Sequence, residues 1–114
     1  MEDDFFIRDI YEIAARSAGY DVTSAVDGEE AISKIKSLSP DLVLLDLMLP
    51  KVDGISVIKA TRADPKTKDI PIVVITNLED STKEQEARNA GANDYLLKIK
   101  NTPNQVLEKI KQYI

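Results

Sequence analysis

Four consecutive apolar residues, Leu42, Val43, Leu44 and Leu45, stand between Asp41 and Asp46 and narrow the choice of fold more than any other feature of this chain. The run is too short for a helix of its own and does not alternate with polar residues. It therefore reads as a strand buried on both faces, which requires a parallel sheet with helices above and below. Asp46 then sits at the carboxyl end of that strand, where a carboxylate beside so much apolar surface is costly unless it is used.

The rest of the chain agrees with a parallel sheet. Phe6, Ile10, Ile13 and Ala14 share one helical stripe, which predicts a helix over 5–18 ended by Gly19. A short strand is expected over 20–26. Asp27 and Glu30 have capping-box spacing and open a helix to about Leu38, closed by Pro40. After Pro50, Asp53 and Gly54 comes a helix over 55–63, stopped by Asp64-Pro65, and Pro71 introduces a strand over 72–75. Ser81 and Glu84 form a second capping box for a helix running to Ala90, with Gly91 ending it before a strand over 95–97. Thr102 and Gln105 form a third, with Pro103 at the first helical position of a helix reaching Ile114. Strand and helix alternate with short connections, an α/β pattern of the doubly wound kind, and 114 residues have room for one core.

Cysteine and histidine are both absent, which excludes disulfides, thiolate metal sites and imidazole catalysis. Chemistry must run on carboxylates, hydroxyls and lysines. A net charge of -5 argues against direct nucleic-acid binding. No apolar stretch approaches the roughly 20 residues of a membrane span, and the acidic start Glu2-Asp3-Asp4 is unlike a signal peptide, so a cytoplasmic location is expected.

In open parallel sheets ligands bind beyond the carboxyl ends of the strands. The residues expected there are Asp46, Thr76 and Lys98, with Glu2-Asp3-Asp4 available nearby. A carboxylate, a hydroxyl and an ammonium at one edge can hold a hard divalent cation and neutralise a phosphoryl group. Each has a plainer reading: Thr76 as a β-branched strand end, Lys98 as a solvated lysine, Tyr95 as an edge core residue. Asp27 and Asp53 read as helix caps rather than ligands.

Taken in order, Glu2-Asp3, Asp46-Leu-Met-Leu-Pro50 with Asp53-Gly54, Ile75-Thr76, and Ala90-Gly91-Ala92 followed by Asp94-Tyr95 and Lys98 resemble the receiver domain of two-component response regulators. The resemblance covers nearly all of 1–114 and implies a CheY-like, flavodoxin-like sheet of order 2-1-3-4-5. It implies that Asp46 takes a phosphoryl group from a sensor histidine kinase or phosphotransfer protein. It further implies Mg²⁺ held by Asp3, Asp46 and the backbone carbonyl of Met48, with Glu2 acting through water. Lys98 and Thr76 would bind phosphoryl oxygens, and Thr76 with Tyr95 would form the switch pair that alters the face of the fourth helix and fifth strand for a downstream protein target. Such a domain catalyses only its own phosphorylation and dephosphorylation. Met48 and Leu78, two residues beyond Asp46 and Thr76, occupy positions that in the family tune attack of water on the acyl phosphate, and neither can orient a water.

Two departures from the family shape further expectations. Only Met1 precedes Glu2, so the central first strand is expected to be missing, with the sheet either rearranged or completed by strands exchanged within a homo-oligomer. Ile99 follows Lys98 where the family has a proline, leaving that loop undetermined. The rival readings are a degenerate receiver that docks partners without phosphorylation, and a haloacid-dehalogenase-type phosphatase. The phosphatase needs a second aspartate where Met48 stands.

Overall fold

The computed structural model describes residues 4–6, 16–25, 27–46, 53–76 and 81–113. Five strands, β1 (Asp4–Phe6), β2 (Asp21–Thr23), β3 (Val43–Leu45), β4 (Ile72–Thr76) and β5 (Asp94–Leu97), all pair in parallel where they pair. Four helices follow them, α1 (Gly28–Leu38), α2 (Gly54–Ala63), α3 (Ser81–Ala90) and α4 (Pro103–Ile110). The hydrogen-bonded ladders form two groups, β1-β2 and β3-β4-β5, and β1 also runs beside β3. The strands therefore lie in the order 2-1-3-4-5, the doubly wound arrangement expected.

The expectation of a sheet without its first strand is corrected by β1. Asp4 pairs with Asp21, Phe5 with Val22 and Phe6 with Thr23, so residues assigned by periodicity to the start of a helix fill the central position instead. The apolar spacing of a helix and the aromatic content of a strand coincide in Asp4-Phe5-Phe6, and a free pairing edge on β2 decides for the strand. Neither a rearranged order nor an exchanged strand is needed to fill the sheet. Of the expected first helix, Arg16 and Ser17 are helical and Gly19, at φ +94°, ends it; the rest lies outside the described residues.

The run that opened the sequence reading is buried throughout: Leu42, Val43, Leu44 and Leu45. Its side chains divide between two cores, as a strand covered on both faces must. Leu42 and Leu44 join Val73, Ile75 and Leu96 beneath Val106, Leu107 and Ile110 of α4. Val43 and Leu45 join Ile72, Val74 and Tyr95 beneath Ala31 and Ile35 of α1, Val57 and Ile58 of α2 and Ala87 of α3.

Local signals set most boundaries. Asp27 accepts from the Glu30 N–H at 2.8 Å and Asp53 from the Ser56 N–H at 2.9 Å, so both aspartates are the helix caps their spacing suggested. Thr102 and Gln105 form the reciprocal capping box with Pro103 beside it. The Ser81 box is a correction. Ser81 is already helical, and Glu84 binds Arg88 at 3.1 Å instead of reaching back to the helix start. An i to i+4 charge pair competes for the same carboxylate and wins it.

Candidate functional site

Because all strands are parallel, their carboxyl ends share one edge of the sheet. The Leu45 to Val74 register brings Asp46, one residue on, level with Ile75 of the neighbouring strand. With strands about 4.8 Å apart and a rise of about 3.3 Å per residue, the Cα atoms of Asp46 and Thr76 lie about 6 Å apart. Thr76 pairs with Leu97, and Lys98 is the next residue beyond β5. By the same spacing about 12 Å separates the backbones of Asp46 and Lys98. That span is within the combined reach of an aspartyl phosphate and an extended lysine side chain.

Asp46 is half-buried, so its carboxylate meets solvent while Leu45 behind it does not. Thr76, expected to follow its strand, is the last residue of β4 and is 0% exposed. Among the described residues every buried side-chain nitrogen and oxygen has a hydrogen-bond partner, so the Thr76 hydroxyl is engaged inside the fold rather than hydrated. Tyr95 is 9% exposed and packs in the core beneath α1, α2 and α3. It stands one residue past the start of β5, paired with Val74 in the register.

Lys98–Lys100 form one 3₁₀ turn, which settles the course of the chain where Ile99 replaces the family's proline, and no cis peptide occurs among the described residues. Ile99 on that turn is 69% exposed. Glu2, Asp3, Met48 and Leu78 lie outside the described residues. Among the described residues no group of three or more acidic, histidine or cysteine side chains could by itself enclose a metal. Asp46 remains a chemically suitable donor, since Mg²⁺ takes oxygen ligands, keeps several waters and is commonly held by one or two carboxylates with a phosphate.

One residue that organises the site from a distance escaped the sequence reading. Arg62, at the end of α2, donates to the Gly91 carbonyl from Nε at 3.1 Å and from one terminal nitrogen at 2.8 Å. It also donates to the Lys68 carbonyl at 2.8 Å, the Ile70 carbonyl at 2.6 Å and the Asn93 Oδ1 at 2.9 Å. Asn93 in turn clasps Ile72, accepting from its N–H at 2.8 Å and donating to its carbonyl at 2.7 Å. The network fixes how β4 and β5 begin relative to one another, and so which residues come level at their far ends. Burial lowers the Arg62 pKa, against a smaller opposing effect of Asp69. The only signal in the sequence was a lone arginine on an apolar helix, which is indistinguishable from a solvated one.

A doubly wound sheet with an aspartate, a buried threonine and a lysine at successive strand ends is the architecture of a phosphoacceptor domain. The chain belongs to the response regulator receiver domain family, whose model matches residues 1–111. It is 44% identical over 98 residues to the DNA-binding dual master transcriptional regulator RpaA of Synechocystis sp., covering 86% of this chain and 41% of that relative. The chain thus spans about two-fifths of the length of the curated relatives it matches. A putative response regulator of Chloroflexus aurantiacus superimposes with a TM-score of 0.89 at 33% identity, covering 99% of this chain and 98% of that one. The receiver domain of a sensor histidine kinase of Pseudomonas aeruginosa, with magnesium coordinated in its active-site cleft, gives 0.87 at 26% identity over 98% and 96% of the two chains. No helix among the described residues is long and apolar enough to cross a membrane.

Proposed function

We propose that Asp46 is the phosphoacceptor of this receiver, taking a phosphoryl group from a phosphohistidine of a partner kinase or phosphotransfer protein in the cytoplasm. The observation that carries the reading is the register that sets Asp46 and Thr76 on adjacent strand ends with Lys98 following the third. An Asp46 carboxylate oxygen attacks phosphorus in line with the phosphorus–nitrogen bond, which breaks. The imidazole leaves with the electron pair, and the product is an acyl phosphate. Phosphoryl transfer asks a protein mainly for positioning and charge neutralisation around a loose transition state. Lys98 pairs with one phosphoryl oxygen and the Thr76 hydroxyl donates to another.

Mg²⁺, when bound, supplies charge neutralisation at the phosphoryl oxygens, with Asp46, Asp3 and the Met48 carbonyl as its protein ligands and Glu2 reached through water. Thr76 gives up its resting hydrogen bond to reach the phosphoryl group, and Tyr95, packed against the same helices, repacks in response. The altered α3 and β5 face is what a downstream protein target reads. Turnover is limited to the chain's own phosphorylation and its reversal, so the domain is a switch more than an enzyme.

Intact-mass measurement after incubation with acetyl phosphate and Mg²⁺ tests the reading. One phosphoryl group should be gained, and it should be lost with EDTA and in Asp46→Asn. A gain that survives in Asp46→Asn, or none in the parent chain, defeats it and leaves the docking-only receiver.

A further inference from the structure

Helix α3 is attached to the molecule almost wholly by its carboxyl half. Its sequence holds no large apolar side chain, Ala87 is its one buried residue, and Ala90 packs part-buried against the same core. Ser81, Thr82, Lys83, Gln85 and Glu86 are exposed, and the Lys83 to Glu86 and Glu84 to Arg88 ion pairs stay within the helix. Methyl-sized contacts contribute on the order of 1 kcal/mol each, so little fixes the amino half in place.

The carboxyl end is held differently. The Ala92 N–H donates to the Ala87 carbonyl at 2.9 Å and the Gly91 N–H to the Arg88 carbonyl at 3.1 Å, the paired bonds of a Schellman stop. The Gly91 carbonyl accepts both Arg62 bonds, and Arg62 is tied through Ile70 and Asn93 to the starts of β4 and β5. We infer that α3 is a lever hinged at Gly91, with Arg62 as the anchor of the hinge and the amino end as the part that swings. A helix of this length is about 15 Å long, so a tilt of about 10° moves the Ser81 end by about 2.5 Å and leaves Gly91 in place. The moving end is the one joined by residues 77–80 to Thr76. Arg62 is thus a positioning residue for the switch, more than a strand-length away from it.

The hinge belongs to the resting chain and does not depend on Asp46 being phosphorylated, so its test fails or succeeds separately. The chain has no cysteine, which lets pairs be introduced cleanly. Nitroxides on Lys83→Cys with Lys109→Cys, and on Asn89→Cys with Lys109→Cys, report distances to α4 by pulsed electron paramagnetic resonance on the full chain. The distribution from position 83 should be at least twice as broad as that from position 89. In Arg62→Met position 89 should broaden to match 83. Equal widths in the parent overturn the inference, as does an unchanged position 89 in an Arg62→Met chain with native circular dichroism. Should Arg62→Met fail to fold, Arg62→Lys keeps the charge but loses the fork. Partial broadening at 89 then supports the hinge, and none overturns it.

Discussion

Gly91 offers a sharp check on the Arg62 network, because a single added carbon tests both backbone and packing. Gly91 has φ +122°, and a Cβ built there would stand 2.8 Å from the Arg62 Cγ and Nε and 3.1 Å from its Cδ. Such a backbone costs a residue with a side chain about 1–3 kcal/mol. The steric part cannot be relieved cheaply, since the contacted atoms lie within a side chain held by five hydrogen bonds. Moving it forfeits at least the two bonds to Gly91, at about 1 kcal/mol each. Gly91→Ala should therefore destabilise by about 3–5 kcal/mol in the parent chain, out of a total stability on the order of 5–15 kcal/mol. In an Arg62→Ala background the obstructing atoms are gone and only the backbone strain of about 1–3 kcal/mol should remain. The double-mutant cycle should close with a coupling of about 2 kcal/mol. Urea unfolding followed by far-ultraviolet circular dichroism suits a chain without tryptophan, run near 15 °C where stability is about maximal. Additivity within about 0.5 kcal/mol would refute the packing described here.

Ile110, fully buried at the end of α4, should cost about 2–5 kcal/mol when cut to alanine, read as a lower urea midpoint with unchanged slope. Burial, and next Asp94, raise the Tyr113 pKa, so the folded state keeps that phenol proton longer than the unfolded chain does. Its contribution is whole below about pH 10 and is lost as pH climbs through the folded value; Tyr113→Phe should flatten the alkaline fall in thermal midpoint, and an identical slope in both chains would contradict this. If Asp46 is phosphorylated, Met48→Asn with Leu78→Glu should shorten the phosphoryl lifetime several-fold by holding the attacking water; an unchanged or longer lifetime, followed by intact mass, counts against it.

Elements written in local chemistry were legible in the sequence. The strands with continuous apolar runs, the Asp27, Asp53 and Thr102 caps and the Gly91 stop all fall within a residue or two of where side-chain chemistry put them. Asp46 and Thr76 could be placed on one edge because a parallel sheet has only one carboxyl edge. What the sequence did not disclose depends on partners far along the chain. Whether Phe5 and Phe6 extend as a strand or coil as a helix is decided by the free edge of β2, which no local window contains. Arg62 became visible only when residues 29 and 31 positions away closed around it. Ser81 misled because Glu84 had two candidate partners and spacing alone could not choose between them.

The central place of β1 also has a consequence for the order of assembly. Its neighbours are β2 and β3, yet among the five strands it leaves the ribosome first. Until β3 has emerged, about 40 residues later, β1 has a partner on one side only, and a lone parallel pair is a poor nucleus. The triplet β3-β4-β5 carries the longer ladders and most of the buried residues, and is the natural seed. The first strand synthesised would then be the last to be locked into the sheet, so the amino-terminal segment is the place where a crowded or slowed translation would do most harm.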